Sequence, residues 1–343
     1  ENANTSSLWN QLYDFIYKAN AVNEGVEKSK TVSEAVKKQI KGEALFVRAF
    51  CHFYLAQLFG EVPVVISTDY QQNAIASRQT LQLVYKEIEE DLIKAGDLLS
   101  MGYVDANNIS TTERTRPNAY AAKALLARVY LFEEKWPLAD AAATAVISFS
   151  SQYALLTDIN AVFLKNSQEA IWQIQSTFPG FNTYAGALYP FAGLPFNVSL
   201  TSAFFNDFDT ADLRRSSWVK TVTVGGDNYF YPYKYKAGQD EPSITEYTMV
   251  LRIAELYLIR AEARCRQSLF TQANEDLNAL RSRANLPSVA LTSQTALLSE
   301  IEHQRRNELF AESGDRWIDL RRTGRSNDLM SISKAPDWTS TDQ

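Results

Sequence analysis

Two stretches of the chain carry side chains that could hold a ligand. In the first, Phe178, Phe181, Asn182, Tyr184, Tyr189 and Phe191 stand among glycines and prolines. In the second, Asn228 is followed by Tyr229, Tyr231, Tyr233 and Tyr235. An aromatic ring offers a flat apolar face, and tyrosine adds a polar tip. A neighbouring amide can both donate to and accept from hydroxyl groups. That combination suits stacking and hydrogen bonding to a sugar ring. The period of two in the second stretch predicts a strand with all four tyrosines on one face. Tyr70 and Tyr103, in predicted inter-helix loops, rank below these clusters. The competing reading is that all of these rings simply cover a helical scaffold. The candidate ligand contacts are therefore Phe181, Asn182, Tyr184, Tyr189, Tyr229 and Tyr231.

Catalytic patterns are missing from the sequence. There is no Gly-x-Ser-x-Gly, no His-Glu-x-x-His and no phosphate-binding glycine loop, and the chain has two histidines. Glycoside hydrolysis needs two carboxylates about 5–10 Å apart across a cleft. The 40 acidic residues guarantee chance candidates for such a pair. No enzyme activity, catalytic residue or cofactor is expected. Asp207, Asp209 and Asp212 could offer oxygens to a hard cation, but the glycine and glutamate of an EF-hand loop are missing. Arg214 suggests a local ion pair there instead, so no metal is expected. Arg48 and His52 lie one turn apart on a helix face, where a lone histidine reads as hydrogen-bonded core. Cys51 and Cys265 fall in apolar helical runs and read as small buried hydrophobes; a disulfide between them stays open.

Composition narrows the field further. A formal net charge of −6 over 343 residues argues against a nucleic-acid partner, which would need a basic face. No apolar run reaches membrane-spanning length; the longest, 44–59, is broken by Arg48, His52 and Gln57. The chain starts at Glu1 without methionine and reads as a processed or trimmed product.

The positioning elements are mostly helices. A period of 3.6 predicts helices over about 8–28, 33–59, 80–100, 117–134, 137–149, 247–267, 271–284 and 293–312, with a short one near 315–322. Ser33 signals a helix start, and Pro117 suits a first turn. The runs 43–59, 119–132 and 249–263 are apolar nearly all round, which predicts helices sandwiched between neighbours. A weak repeat places Ala127, Trp136 and Ala139 at the same offsets as Ala261, Phe270 and Ala273, resembling the tetratricopeptide pattern. Residues 151–246 differ: they are rich in glycine and proline, with short strands predicted at 169–175 and 218–223. The expected fold is mainly α, with tetratricopeptide-like hairpins at 1–150 and 247–330 and a loop-rich insertion, 151–246, packed against them as part of one domain, 1–343.

Near the C-terminus the chain reads Arg305-Arg306-Asn307-Glu308-Leu309-Phe310-Ala311-Glu312-Ser313-Gly314-Asp315-Arg316-Trp317-Ile318-Asp319-Leu320-Arg321-Arg322. Physically this is a helix, a sharp turn at Gly314 and a second helix, with arginine–carboxylate pairs able to lock the corner. The run resembles the SusD/RagB family pattern E-R-R-x-E-L-x-x-E-G-x-R-W-x-D-L-R-R. It departs where Gln304 replaces the first glutamate and where Ser313 precedes Gly314. Lys41 to Phe50, followed by Phe59-Gly60-Glu61-Val62-Pro63, is similar to another family segment. So are Ala124 to Leu131, Arg252 to Ala263, and Trp9 to Asn20.

What the resemblance implies is specific. The fold would be helical hairpins with a loop-rich region laid against them. The protein would be lipid-anchored on the outer face of the outer membrane of a Bacteroidetes-type bacterium, through an N-terminal Cys not present in this chain. It would cap a SusC-like TonB-dependent transporter and present oligosaccharides to it. The family's Pro- and Asn-rich tail after Trp338 is also missing, and both ends read as trimmed or disordered. The family motifs are read as scaffold, with Arg316 expected to sit in a buried pair whose loss costs about 3–5 kcal/mol. Two alternatives stay open: a structural lid subunit of the transporter, and a peptide-binding protein.

Overall fold

The helical frame is assembled with one turn used repeatedly. The computed structural model describes residues 3–195, 198–238, 241–334 and 338. Its first half holds α1 (Ala3–Lys28), α2 (Glu34–Phe59), the one-turn α3 (Tyr70–Asn73), α4 (Leu81–Leu98), α5 (Ala119–Phe132) and α6 (Trp136–Ile147). The last part holds α10 (Ile253–Arg266), α11 (Phe270–Arg283), α12 (Gln294–Leu309), α13 (Asp315–Arg322) and α14 (Ser326–Ser333). Between α5 and α6, Glu134 adopts φ 58° and the Lys135 N–H donates to Tyr130 O at 2.9 Å. Between α10 and α11, Ser268 adopts φ 62° and the Leu269 N–H donates to Arg264 O, also at 2.9 Å. This is the left-handed helix stop that ties off the last carbonyls. It recurs at the same offset in both copies of the repeat, and Ala127, Ala139, Ala261 and Ala273 are all fully buried. The repeat is therefore a pair of helix hairpins closed by the same turn.

The helices stack in sequence order: α1 on α2, α2 on α4, α4 on α5, α5 on α6, α6 on α10, and α10 on α11 and α12. The runs read as apolar all round are the sandwiched ones: α5 buries twelve of its fourteen residues, between α4 and α6. Ser33 caps α2, its Oγ accepting the Val36 N–H. Pro117 instead precedes the α5 cap: Asn118 holds that position and accepts the Ala121 N–H at 2.9 Å.

The expected helix 247–267 is two elements. Residues 248–252 form β4 (Thr248–Arg252), antiparallel to β1 (Ala170–Ile174), and α10 starts directly after it. A fully buried strand reads as a continuous apolar run, so periodicity merges it with the helix that follows. The loop-rich segment is also more built than its composition suggests. It contains α7 (Tyr184–Leu188), α8 (Ser202–Asp207), α9 (Leu213–Ser217), and a hairpin of β2 (Val219–Val224) and β3 (Asp227–Pro232). Its residues have a core of their own, in which Phe163, Phe204, Phe208, Trp218, Phe230 and Tyr235 close on Phe310 from the C-terminal helices.

A buried charge network joins the two layers. Glu308 on α12, fully buried, accepts from Arg252 at 2.6 Å, from Arg214 at 3.1 Å and from Arg283. Those three guanidinium groups hold its carboxyl well below the usual range despite burial. Arg305 bonds Asp315 at 2.6 Å and pairs with Asp319 at 3.2 Å across the corner, where Gly314 takes φ 74°. Arg316 is a correction to the sequence reading: it stays 35% exposed and meets Glu302 at 3.4 Å. The lock is made by Arg252, Arg283 and Arg305, whose side chains point inward; Arg316 follows one turn out on the solvent side. Cys51 and Cys265 are buried and unpaired, and burial pushes their thiols up to about 12 and about 11.

Candidate functional site

The first aromatic cluster is displayed from a pinned loop. Asn182 is 1% exposed. Its Nδ2 donates to Ser243 O at 3.0 Å, and its Oδ1 accepts the backbone N–H groups of Thr245 at 2.6 Å and Glu246 at 2.9 Å. This corrects the reading of Asn182 as a ligand contact: its amide is spent on the backbone of the 243–246 segment. Two residues on, Tyr184 opens α7 and is 70% exposed, with Thr183 Oγ1 capping the helix through the Gly186 N–H at 3.0 Å. Gly186 is required here, because a Cβ at that position would lie 2.4 Å from Ala237 O. Phe178 is 71% exposed and meets the half-buried Phe181 edge-on at 6.4 Å. Tyr189 follows α7 half-buried, and burial raises its phenol pKa. Pinned loop, cap and close approach fix the backbone under Tyr184 before any ligand arrives, which limits the ordering cost of binding.

The second cluster sits on the β2–β3 hairpin. Val219, Phe230 and Pro232 face the core, while Tyr229 and Tyr231 face outward opposite Val222 and Lys220. Phe191 packs on Tyr231 at 4.9 Å, and Tyr233 meets Tyr231 edge-on at 6.1 Å. The expected single face of four tyrosines is half right. Pro232 ends the strand, and Lys234 and Tyr235 then both turn inward, which a strand's alternation forbids. Tyr235 is 7% exposed, and its hydroxyl oxygen accepts the Met249 N–H at 2.8 Å. Lys234 lies 4.1 Å from the Phe310 ring and donates to Glu308 O at 2.7 Å; burial pulls its pKa down to about 8.

The structure brings the two clusters together. Residues 178–191 cross the 229–246 segment, with Gly186 against Tyr235 and Ala237, Asn182 against 243–246, and Phe191 on Tyr231. Tyr103 is buried, its hydroxyl donating to Ile171 O at 2.8 Å. Tyr70 is 76% exposed on α3, on a loop tied to α1 through Asn20 and Glu24. Asp69 caps α3 beneath it by accepting the Gln71 N–H at 2.9 Å.

Other groups singled out by sequence prove structural. Arg48 holds Asp91 through two bonds of 2.6 and 2.7 Å. His52 accepts the Val65 N–H at 3.3 Å, and burial pulls its pKa down to about 3. Asp212 caps α9 and clasps Arg214, whereas Asp207 pairs with Arg306 at 3.1 Å. Among the described residues, no three His, Cys, Asp or Glu side chains converge as a metal site. A groove of about 440 Å³ between α1, α2, β4 and the Gly314 corner is lined by Leu8, Leu12, Phe50, Tyr54 and Trp317. Its apolar walls suit hydrocarbon better than hydroxyl groups. No described helix is long and apolar enough to cross a membrane.

Comparison with known proteins agrees along the chain. A family model described as SusD-like, starch-binding and associating with the outer membrane matches residues 1–131, and the SusD family model matches residues 209–339. A SusD-like protein of Bacteroides ovatus is 26% identical over 92% of this chain and 65% of its own length, so the chain spans about two thirds of that relative. A SusD superfamily protein of Bacteroides vulgatus superposes with a TM-score of 0.84 at 23% identity, covering 97% of this chain and 77% of the other. Surface glycan-binding protein A of Bacteroides uniformis superposes at 0.77 and 21% identity, over 97% and 80%.

Proposed function

The chain belongs to the SusD family, and from that premise we propose that it is a non-catalytic glycan-binding protein of the cell surface. It captures oligosaccharides on the aromatic surface of the 151–246 segment and passes them to a SusC-like TonB-dependent transporter in the outer membrane, where a lipid anchor holds it on the extracellular face. The observation that carries this reading is the display of Phe178 and Tyr184. Both are at least 70% exposed on a pinned loop outside the helical frame. At that exposure most of each ring stays free for a ligand. The Bacteroides uniformis neighbour, a surface glycan-binding protein, supports the ligand class. In the interior, arginine partners hold Glu308, Glu255 and Asp319 below the usual carboxylate range against the opposing effect of burial, as structural ion pairs.

Calorimetry against plant, host and microbial oligosaccharides tests the proposal. Stacking on one ring contributes on the order of 1 kcal/mol, so affinities fall in roughly the micromolar to millimolar range. Tyr184→Ala is expected to weaken binding about fivefold, and Tyr189→Ala by less, without lowering the melting temperature. Silence across the whole panel would favour a structural lid, and binding untouched by Tyr184→Ala would move the site to Tyr231 or Tyr70. Co-purification of the lipid-anchored form with an outer-membrane barrel tests the transporter partnership.

A further inference from the structure

We infer that the outward face of the β2–β3 hairpin is a subsite for an anionic sugar, with Lys220 and Lys236 receiving its charged group beside the rings of Tyr231 and Tyr233. The inference rests on the glycan-binding reading above and specifies the ligand's chemistry at one part of that surface.

The geometry is local and consistent. Lys220 lies directly across the hairpin from Tyr231, so both side chains leave the same face. The Lys220 ammonium lies 4.9 Å from the centre of the Tyr233 ring, and the Lys236 ammonium lies 5.7 Å from the same ring. Two cations thus converge on one tyrosine, at the end of a row formed by Phe191, Tyr231 and Tyr233.

Neither cation is neutralised in the way several other lysines of this protein are. Lys41, Lys135 and Lys234 each meet a glutamate directly. Among the described residues, Lys220 and Lys236 have no carboxylate within salt-bridge distance, and Lys236 donates instead to the neutral amide oxygen of Asn160. Glu246 stands near Lys236, but its oxygens accept the backbone N–H groups of Lys236 at 2.7 Å and Ala237 at 3.1 Å. Asp158 also acts on Lys236 electrostatically, from beyond contact. Burial and then the like charge of Lys220 lower the Lys236 pKa, against the pull of Glu246 and Asp158. A carboxylate or sulfate set between the two ammonium groups relieves that repulsion while its sugar ring lies against the tyrosines. Within a chain of net charge −6, Lys220 and Lys236 make a local basic spot next to the aligned rings. A uronic acid and a sulfated sugar share this chemistry.

The test is binding of matched probes to the intact protein by calorimetry: oligogalacturonides against their methyl esters, and sulfated galactan oligosaccharides against their desulfated forms. At least one anionic probe is expected to bind tenfold or more tightly than its neutral twin. That preference should shrink severalfold between 50 and 300 mM salt, as for an exposed charge contact. Lys220→Gln with Lys236→Gln is expected to bring each pair to parity, with an unchanged melting temperature reporting an intact fold. The outcome in both series distinguishes carboxylate from sulfate as the preferred group. Neutral probes binding as well as anionic ones, or a preference that survives both substitutions, would overturn the inference and leave the glycan reading standing. No binding by any probe, charged or neutral, together with silence across the broad panel, would overturn both.

Discussion

Replacing Glu308 by alanine should destabilise this protein more than any single change at an exposed charge. The carboxylate is fully buried and faces Arg214, Arg252 and Arg283. Without it, three buried guanidinium groups and the buried Lys234 ammonium share only Asp212, Glu169 and Glu312. Removing one partner of a buried ion pair costs about 3–5 kcal/mol, chiefly because a charge is left buried and uncompensated. An unfolding entropy of about 2.1 cal/mol/K per residue gives roughly 0.7 kcal/mol/K for this chain, so the melting temperature should fall by roughly 4–7 °C. Arg316→Ala breaks a half-exposed pair worth at most about 1 kcal/mol, a shift under about 2 °C. Calorimetric melting at neutral pH compares the two. Equal shifts, or a larger one at Arg316, would show that the network across α12 and β4 does not bear the load assigned to it. The pH dependence has a fixed sign. The Glu308 carboxyl is held below its unfolded value, so its contribution is complete above that value and is lost as pH falls through the folded pKa.

Two further substitutions probe the frame and the site. His52 is buried neutral with its pKa pulled down to about 3, so the unfolded chain takes up a proton that the folded chain refuses, and stability drops as pH falls below about 6.5. Between pH 7 and 5 this group alone removes about 2 kcal/mol; His52→Gln should flatten that part of the denaturant-midpoint profile, and an unchanged slope would rule the origin out. Asn182→Ala leaves the buried Glu246 N–H without its acceptor, at about 1–3 kcal/mol, and should weaken glycan binding by freeing the loop beneath Tyr184. Binding at wild-type strength in a variant that melts early would mean the loop's rigidity has no part in recognition.

The helical frame was legible because its signals are local. Ser33 and the sandwiched apolar runs predict helix starts and packing without reference to the rest of the chain, and the small residues of the repeat mark where hairpins close. The strand β4 was hidden because burial on both sides erases the alternation that distinguishes a strand from a buried helix. Only its pairing with β1, some eighty residues earlier, makes 248–252 extended. The aromatic clusters were legible as composition and misread in detail. Tyr229 and Tyr231 keep the period of two, but Pro232 ends it, and the next residues obey the demands of Glu308, Glu312 and Met249. Asn182 shows the same limit most sharply. An asparagine between aromatics looks the same in sequence whether its amide meets a ligand or a backbone, and the partner here lies some sixty residues away. Its burial does not weaken the site: an amide fixed to 243–246 gives the neighbouring Tyr184 a rigid base, and a base of that kind lets a weakly stacking ring contribute to binding without first being ordered.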